Sequence, residues 1–177
     1  MLVPTGVDID RAVRGYVKSA LSMPVIAANA NFPAPAGQYA TALLIYEEKN
    51  GFNSNNFDYS PANDKINFIS SSNHYLTYSI QIYRGDNANE NARELSVYFG
   101  TPAGQFYLQK NNLTVIDWSI IRNLTTVIDG EMEQRSSIDI IFGVVVKNSQ
   151  EIDRIVEVDV GIELNSAKNI LDNININ

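Results

Sequence analysis

The sequence predicts an α+β fold, in which a mostly antiparallel sheet carries two main helices on one face. Apolar residues recur at helical spacing after residue 8 and again after residue 87. Elsewhere they alternate with polar residues, as in strands that bury one face. The chain has 177 residues, 45% of them hydrophobic, which suits one domain with a sizeable core. We therefore predict a single domain over residues 1–177, with a flexible polar tail at 165–177.

The first predicted helix covers Asp8 to Ser22. Thr5 and Asp8 have the spacing of an N-terminal capping box, and Pro24 prevents the helix from continuing. The side opposite its apolar stripe is basic and carries Arg11, Arg14 and Lys18. Such a stripe is either a solvated face or a docking face for an acidic partner.

A polar connector follows this helix and precedes the first long strand. Its two prolines fix φ and bias the preceding residues toward extended geometry, and its glycine can take a turn conformation. A stiff polar loop pinned between two apolar runs favours a binding or assembly surface over a simple link. The interface candidates in this connector are Asn29, Asn31, Pro33, Pro35 and Gly37.

Three strands and one long loop are predicted next. Aromatic and branched residues predict a strand over Tyr39 to Glu48. The Asn, Ser and Gly content of Lys49 to Asp64 predicts an exposed loop. Two strands follow, Lys65 to Ser71 and His74 to Tyr83, and the apolar parity of the second predicts one buried face. His74 is placed at the turn between them, as an ordinary exposed or hydrogen-bonded histidine, with a contact role as the alternative.

Two helices are predicted in the middle of the chain. Asn87 and Glu90 have capping-box spacing, and Gly100 ends the helix that they begin. Thr101 and Pro102 then suit the N-cap and first residue of a short helix that runs through about Lys110.

The C-terminal third predicts three strands, Thr114 to Ile121, Met132 to Lys147 and Glu151 to Leu164. The last two have one apolar parity each, so a three-residue loop between them would place Lys147 opposite Glu151. The other parity of the last strand is acidic and includes Glu157, Asp159 and Glu163. An acidic row could be a carboxylate pair of a hydrolase or a cage for Ca²⁺ or Mg²⁺, but regular alternation is what a solvated sheet face produces.

Composition excludes several classes of site. The chain has no cysteine and one histidine, so disulfides, thiolate metal sites and multi-histidine sites within one subunit are excluded. Phosphate-binding glycine motifs and the serine-hydrolase elbow are absent. A net charge of -7 argues against broad nonspecific binding of nucleic acid. The N-terminus shows no signal sequence and no apolar run reaches ~20 residues, which predicts a protein made in the cytoplasm without a membrane span.

Two segments resemble the neck or tail-terminator proteins of tailed bacteriophages. Val25 to Thr41 is similar to the family's "Val-Ile-x-Ala-Asn-Gln-x-x-Pro-x-Pro-x-Gly-Pro-Tyr-Ala-Thr" stretch, although Gln38 and Ala27 depart from it. Glu133 to Asp139 is similar to the family's "Glu-x-Arg-Ala-x-x-Asp" entry into a late strand, which makes Arg135 another interface candidate. The resemblance extends from about residue 8 to residue 164.

This resemblance implies a tail-terminator-like fold and a structural protein of the virion, assembled in the host cytoplasm. It implies a ring, as a homo-hexamer, that ends tail-tube growth and contacts tail-tube and neck or connector proteins. DNA would pass through the ring without specific binding, and no cofactor or metal is implied. Glu157, Asp159 and Glu163 are then candidates for the lumen, because a negative surface does not retain DNA.

Two other classes of protein remain open. One is a soluble carbohydrate- or protein-binding module, in which Trp118 and surface tyrosines form a stacking platform, although Trp in a strand more often belongs to the core. The other is a carboxylate-based hydrolase that uses the acidic row. The first alternative requires an exposed Trp118, and the second requires paired carboxylates in a cleft.

Overall fold

Three helices pack against one face of a six-stranded sheet, in a computed structural model that describes residues 6–29, 33–60, 65–85, 87–128 and 130–153. The helices are α1 (Gly6–Leu21), α2 (Ala88–Tyr98) and α3 (Pro102–Lys110). The strands are β1 (Val25–Ala27), β2 (Tyr39–Ser60), β3 (Lys65–Tyr83), β4 (Leu113–Trp118), β5 (Arg122–Asn123), β6 (Thr126–Ile128), β7 (Glu131–Glu133) and β8 (Arg135–Asp153).

The main sheet has the order β1-β2-β3-β8-β4, and β5 pairs with β8 beside β4. Strand β1 is parallel to β2, and the other pairs are antiparallel. Strands β6 and β7 form a separate hairpin. The structure therefore confirms the predicted α+β fold with a mostly antiparallel sheet.

The core lies between the helices and the two central strands. Ile80 of β3 pairs directly with Ile138 of β8, and Leu76 pairs with Phe142, so the predicted apolar parities meet on one face. Both strands are completely or almost completely buried at these positions. Tyr16 of α1 packs against the Phe142 ring at 6.2 Å between centroids, which anchors the helix layer on the sheet. The buried faces predicted for these two strands are therefore confirmed.

The helix boundaries follow the local signals closely. Helix α1 ends at Leu21, before Pro24, as predicted. The Thr101 hydroxyl accepts a hydrogen bond from the Gly104 amide at 3.1 Å and caps α3 as predicted. Asn87 occupies the N-cap of α2, but its side chain makes no capping hydrogen bond, so the capping box predicted there is wrong. Thr5 of the first predicted box lies outside the described residues.

The predicted loop over Lys49 to Asp64 is wrong for every residue of it that the structure describes. Strand β2 continues to Ser60, and β3 is one strand from Lys65 with no turn before His74. We call the part of the sheet that extends beyond the core the arm. It consists of residues 49–60 of β2, 65–74 of β3 and 144–153 of β8. Most of its side chains are exposed or half-buried, so the backbone ladders hold it together with local apolar contacts such as the Phe57 and Phe68 rings, 5.2 Å apart.

The predicted turn at Asn148 to Gln150 is also wrong. Strand β8 runs through it, and Lys147 pairs with Ser71 instead of Glu151. Glu151 lies opposite Asn67 and forms an exposed ion pair with Lys65 at 2.9 Å. The even-numbered apolar residues from Ile138 to Val146, together with Ile152, thus share one parity of a single strand, which the structure describes up to Asp153. The remainder of the predicted last strand lies outside the described residues.

Candidate assembly interface

Arg84 ties the proline connector to the end of the sheet. Its guanidinium donates a hydrogen bond to the Pro35 carbonyl and lies 5.6 Å from the centre of the Tyr39 ring. The same group approaches the Glu133 carboxylate at 3.5 Å. The backbone of Arg84 has φ of 62°, a conformation that few non-glycine residues adopt, directly after β3 ends. The connector is therefore attached to the end of the sheet at Pro35.

Arg135 completes this cluster from the first residue of β8. Its Nε donates to the Glu133 carboxylate at 2.7 Å, and its guanidinium lies 5.0 Å from the centre of the Tyr83 ring. Tyr83 stacks on Tyr39 at 4.8 Å, with the planes 6° apart. Two arginines thus sandwich a tyrosine pair and share one carboxylate. Arg135 is half-buried and makes its contacts within the subunit.

The Glu133 carboxylate is the electrostatic centre of the cluster. The hydrogen bond from Arg135 lowers the pKa of Glu133 below its ordinary value, and burial opposes that effect. Arg84 adds a further lowering of the same pKa. The carboxylate is therefore ionised at neutral pH and holds both guanidinium groups in place.

The structure brings together the two segments on which the family resemblance was based. Pro35 belongs to the first segment and Glu133 and Arg135 to the second, and Arg84 connects them. Sequence reasoning missed Arg84, because an arginine between a strand and a glycine carries no motif. It also missed the pairing of the Tyr39 and Tyr83 rings, which depends on the register of β2 with β3.

The other residues predicted in the connector differ in exposure. Asn29, Pro33 and Gly37 are exposed, and Pro35 is half-buried because its carbonyl meets Arg84. Asn31 lies outside the described residues. Pro33 and Gly37 thus lie on either side of Pro35, the point at which Arg84 holds the connector.

The basic stripe of α1 does not form a uniform surface. Arg11 and Lys18 are exposed, whereas Arg14 is half-buried. Arg14 and Asn29 line one cleft of about 180 Å³ between α1 and the start of the sheet. The stripe and the connector therefore meet at this cleft.

A hydrogen bond closes the floor of the same cleft. The Tyr78 hydroxyl donates to the Asp10 carboxylate, and both residues line the cleft. Burial, followed by this hydrogen bond, raises the pKa of Tyr78. Tyr78 is thus a neutral donor at physiological pH. The cleft is smaller than the ~300–1,000 Å³ of typical small-molecule sites, so it has room for a side chain rather than a metabolite.

His74, the one histidine of the chain, is engaged in local hydrogen bonds. Both ring nitrogens of His74 have partners, Glu47 and Ser72, each at 2.9 Å. Within the described ranges, no set of three or more His, Asp or Glu side chains could hold a metal ion. The lumen candidates Glu157, Asp159 and Glu163 lie outside those ranges.

Trp118 lies at the surface rather than in the core. Its side chain is 47% exposed and packs with the Phe99 ring at 5.1 Å. It shares the β4 side of the sheet with the exposed Ile116 and Ile120. Aliphatic neighbours suit a protein contact better than a flat aromatic platform for sugars.

Comparison with known proteins identifies the family. A family model described as "phage neck terminator protein" matches residues 7–166. No curated protein matches the chain. Among the helices that the structure describes, none combines the length and apolarity needed to cross a bilayer.

The match covers nearly the whole sequence and includes both segments that meet at Arg84. The family consists of structural phage neck proteins rather than enzymes, and it implies a place in the virion with tail and neck proteins as partners. This chain belongs to the phage neck terminator protein family.

Proposed function

We propose that this protein forms a closed hexameric ring that ends growth of the tail tube and joins the tail to the head connector. The observation that carries the proposal is the family match over residues 7–166. The ring also requires each subunit to contact its neighbours through two different surfaces, because a closed cyclic contact is heterologous. The subunit would act by contact alone and would have no hydrolytic activity.

The open edges of the sheet support this proposal. Beyond Ala42, β3 is the only described partner of β2, and β8 is the only partner of β4 among the described strands. Such edges present unpaired N–H and C=O groups that can accept a further strand. Strand β2 has 22 residues, several times the usual ~5–6. A subunit with a long arm and two open edges is suited to a polymeric or cyclic assembly.

The segments that we assign to subunit contacts are Asn29 to Gly37, the strands near Lys49 to Asp64, the basic stripe of Arg11, Arg14 and Lys18, and the Arg135 cluster that supports the connector. On assembly, hydrogen exchange at Asn29 to Gly37 and at Lys49 to Asp64 should slow. Exchange within the buried stretch of β8 would serve as the internal control, since it is protected in both states. Unchanged exchange in both segments would contradict the assignment.

The lumen is assigned to the acidic row Glu157, Asp159 and Glu163. The motivation is the chain's net charge of -7 and the regular acidic parity of that segment. A negative wall lets DNA slide without binding. Replacing all three by lysine should slow DNA passage without preventing ring assembly, which genome ejection assays would measure. Genome ejection at the wild-type rate would contradict the assignment of these three residues to the lumen.

Deletion of the gene from its phage is the deciding experiment. Electron microscopy of lysates should show filled heads separate from tails, and tail tubes that are overgrown or lack their end structure. A plasmid copy of the wild-type gene should restore joined particles, which controls for effects on neighbouring genes. Infectious, correctly joined particles without the protein would refute the proposal.

A further inference from the structure

A fully exposed phenylalanine projects from the arm. Phe52 is 100% exposed and lies in a bulge of β2, where residues 51–53 face a single residue of β3. Gly51 provides the bulge with φ of +77°, which side-chain-bearing residues rarely adopt. A bulge of this kind re-aims a side chain away from the sheet. The chain thus presents an aromatic ring to solvent at a backbone position built for projection.

An open groove lies on the opposite side of the subunit, between α3 and the start of β4. It has a volume of about 480 Å³, and its walls include Pro102, Phe106, Leu108 and Leu113. Phe106 is 68% exposed at its rim. Gln105, Gln109 and Thr114 also line the groove, so it offers apolar contacts together with hydrogen-bonding groups, in a volume that can hold a large aromatic side chain.

The register places the bulge and the groove on opposite edges of the sheet, with the bulge three residues further along the arm, a shift of about 10 Å. Lys49 of β2 pairs with His74, His74 with Val144, and Val144 with Leu113 of β4. Leu113 lines the groove, and Phe52 follows Lys49 by three residues. At about 4.8 Å per strand, the two edges are roughly 14 Å apart. A neighbour placed beside this sheet and shifted by about 10 Å along the strands would therefore bring its bulge to the groove.

Charge and hydrogen-bonding groups are complementary across such a contact. Residues 46–60 carry three acidic and one basic side chain, a net charge of 1 - 3 = -2, whereas residues 102–116 carry one charge, the basic Lys110. Next to the ring, the Asn53 amide nitrogen donates to the Ser70 hydroxyl at 3.2 Å, and the Asn53 amide oxygen can accept from the exposed Gln109 of the groove. The match favours a second copy of this chain as the occupant.

We propose that Phe52 of one subunit inserts into the groove between α3 and β4 of the next subunit in the ring. This inference rests on the proposed ring and specifies its contact. Phe52 and the groove lie on different surfaces of the same chain, as a heterologous cyclic interface requires. The buried aromatic would be the anchor of the contact, with the amides and charges around it fixing the register.

The first test replaces Phe52 by alanine in a phage lacking its own copy of the gene. Truncation of an aromatic anchor should raise the dissociation constant between subunits roughly tenfold or more. At limiting expression, F52A should therefore leave tails without an end structure. V97A is the matched control, because Val97 is 69% exposed on α2, outside the segments assigned to subunit contacts. Capping of tails by F52A at the wild-type level would overturn the inference.

The second test uses the absence of cysteine from the chain. The double variant N53C and Q109C should form a ladder of disulfide-linked oligomers on isolated tails under mild oxidation, and each single variant should not. The pair N53C and R93C is a control, since Arg93 is exposed on α2, outside the groove. Rings without N53C–Q109C cross-links would overturn this contact alone. Wild-type tails without any ring would overturn the ring proposal and this contact together.

Discussion

Glu133 joins two arginines that come from different parts of the chain, so its ionisation bears on how firmly the sheet end is held. The pKa of Glu133 is lowered from 4.5, first by the hydrogen bond from Arg135. Because the folded-state pKa lies below the unfolded value, the stabilisation is complete above about pH 4.5. It is lost as the pH falls through the folded-state pKa.

Thermal melts from pH 7 to pH 3 should therefore distinguish Glu133→Gln from the wild type. At pH 7 the variant should melt roughly 2–4 °C lower, because charged hydrogen bonds to both arginines are replaced by neutral ones. As the pH falls through the lowered pKa of Glu133, the difference should shrink, because the wild-type carboxylate then becomes protonated. Glu131→Gln is the control, because Glu131 is an exposed neighbour on the same strand. A difference that is constant from pH 7 to pH 3 would contradict the role assigned to the ionised carboxylate.

The same substitution should have opposite effects on stability at two buried tyrosines. The Tyr16 hydroxyl is buried and has no hydrogen-bond partner among the described residues, whereas the Tyr78 hydroxyl donates to Asp10. Tyr16→Phe removes an unsatisfied polar group and should increase the free energy of unfolding by about 1 kcal/mol. Tyr78→Phe removes a satisfied donor and should decrease it by about 1–2 kcal/mol. Urea denaturation of both variants measures the difference, and effects of equal sign would refute this account.

At the scale of elements, α3 depends on a glycine where it meets the end of α2. A Cβ on Gly104 would collide with the Tyr98 carbonyl oxygen and crowd the Tyr16 hydroxyl at 3.2 Å. Backbone cannot yield as a flexible side chain can, so Gly104→Ala should lower the free energy of unfolding by about 1–3 kcal/mol. Gly37→Ala is the control, because a Cβ there meets nothing within 4 Å. Equal unfolding free energies for the two variants would contradict the packing of α3 against α2.

The elements that the sequence predicts well are those with a local cause. The helical spacing of apolar residues, with Pro24 as the stop, predicts α1. Thr101 with Pro102 predicts α3, and the alternation of apolar and polar residues predicts the buried half of β3. The arm has no such cause, because its strands are polar and their order depends on pairing between distant segments. Asn50-Gly51 is a strong hairpin dipeptide, yet here the glycine forms a bulge within a continuous strand.

The candidate site shows the same division between local and distant causes. The restricted backbone of the connector is encoded in Pro33 and Pro35 and could be predicted. The contact that fixes it, from Arg84 to Pro35, joins residues 49 apart in sequence. The exposure of Phe52 could not be predicted either, because it results from the bulge rather than from composition.

At the scale of the whole molecule, the subunit should open in two stages. The helices cover the sheet from the level of Leu76 to Ile82, and the arm extends beyond them with few buried side chains. Native-state hydrogen exchange should therefore show arm amides near Asn55 opening at lower denaturant than amides near Ile138. The arm and core amides are measured in the same sample, so each serves as the reference for the other. A common opening free energy for the arm and the core would show instead that they form a single cooperative unit.

The order of strands also sets the timing of folding during synthesis. Strand β8 lies between β3 and β4 in the sheet, yet it is the last strand described along the chain. Its ladder with β3 joins residues from 52 apart (Tyr83 and Arg135) to 88 apart (Lys65 and Asp153). A ribosome must therefore complete most of the polypeptide before the sheet can close, and such distant pairing is slow. Until then β3 and β4 have no common partner and their apolar faces remain exposed, so a chain that terminates before residue 135 should be a substrate for proteases rather than a shortened terminator.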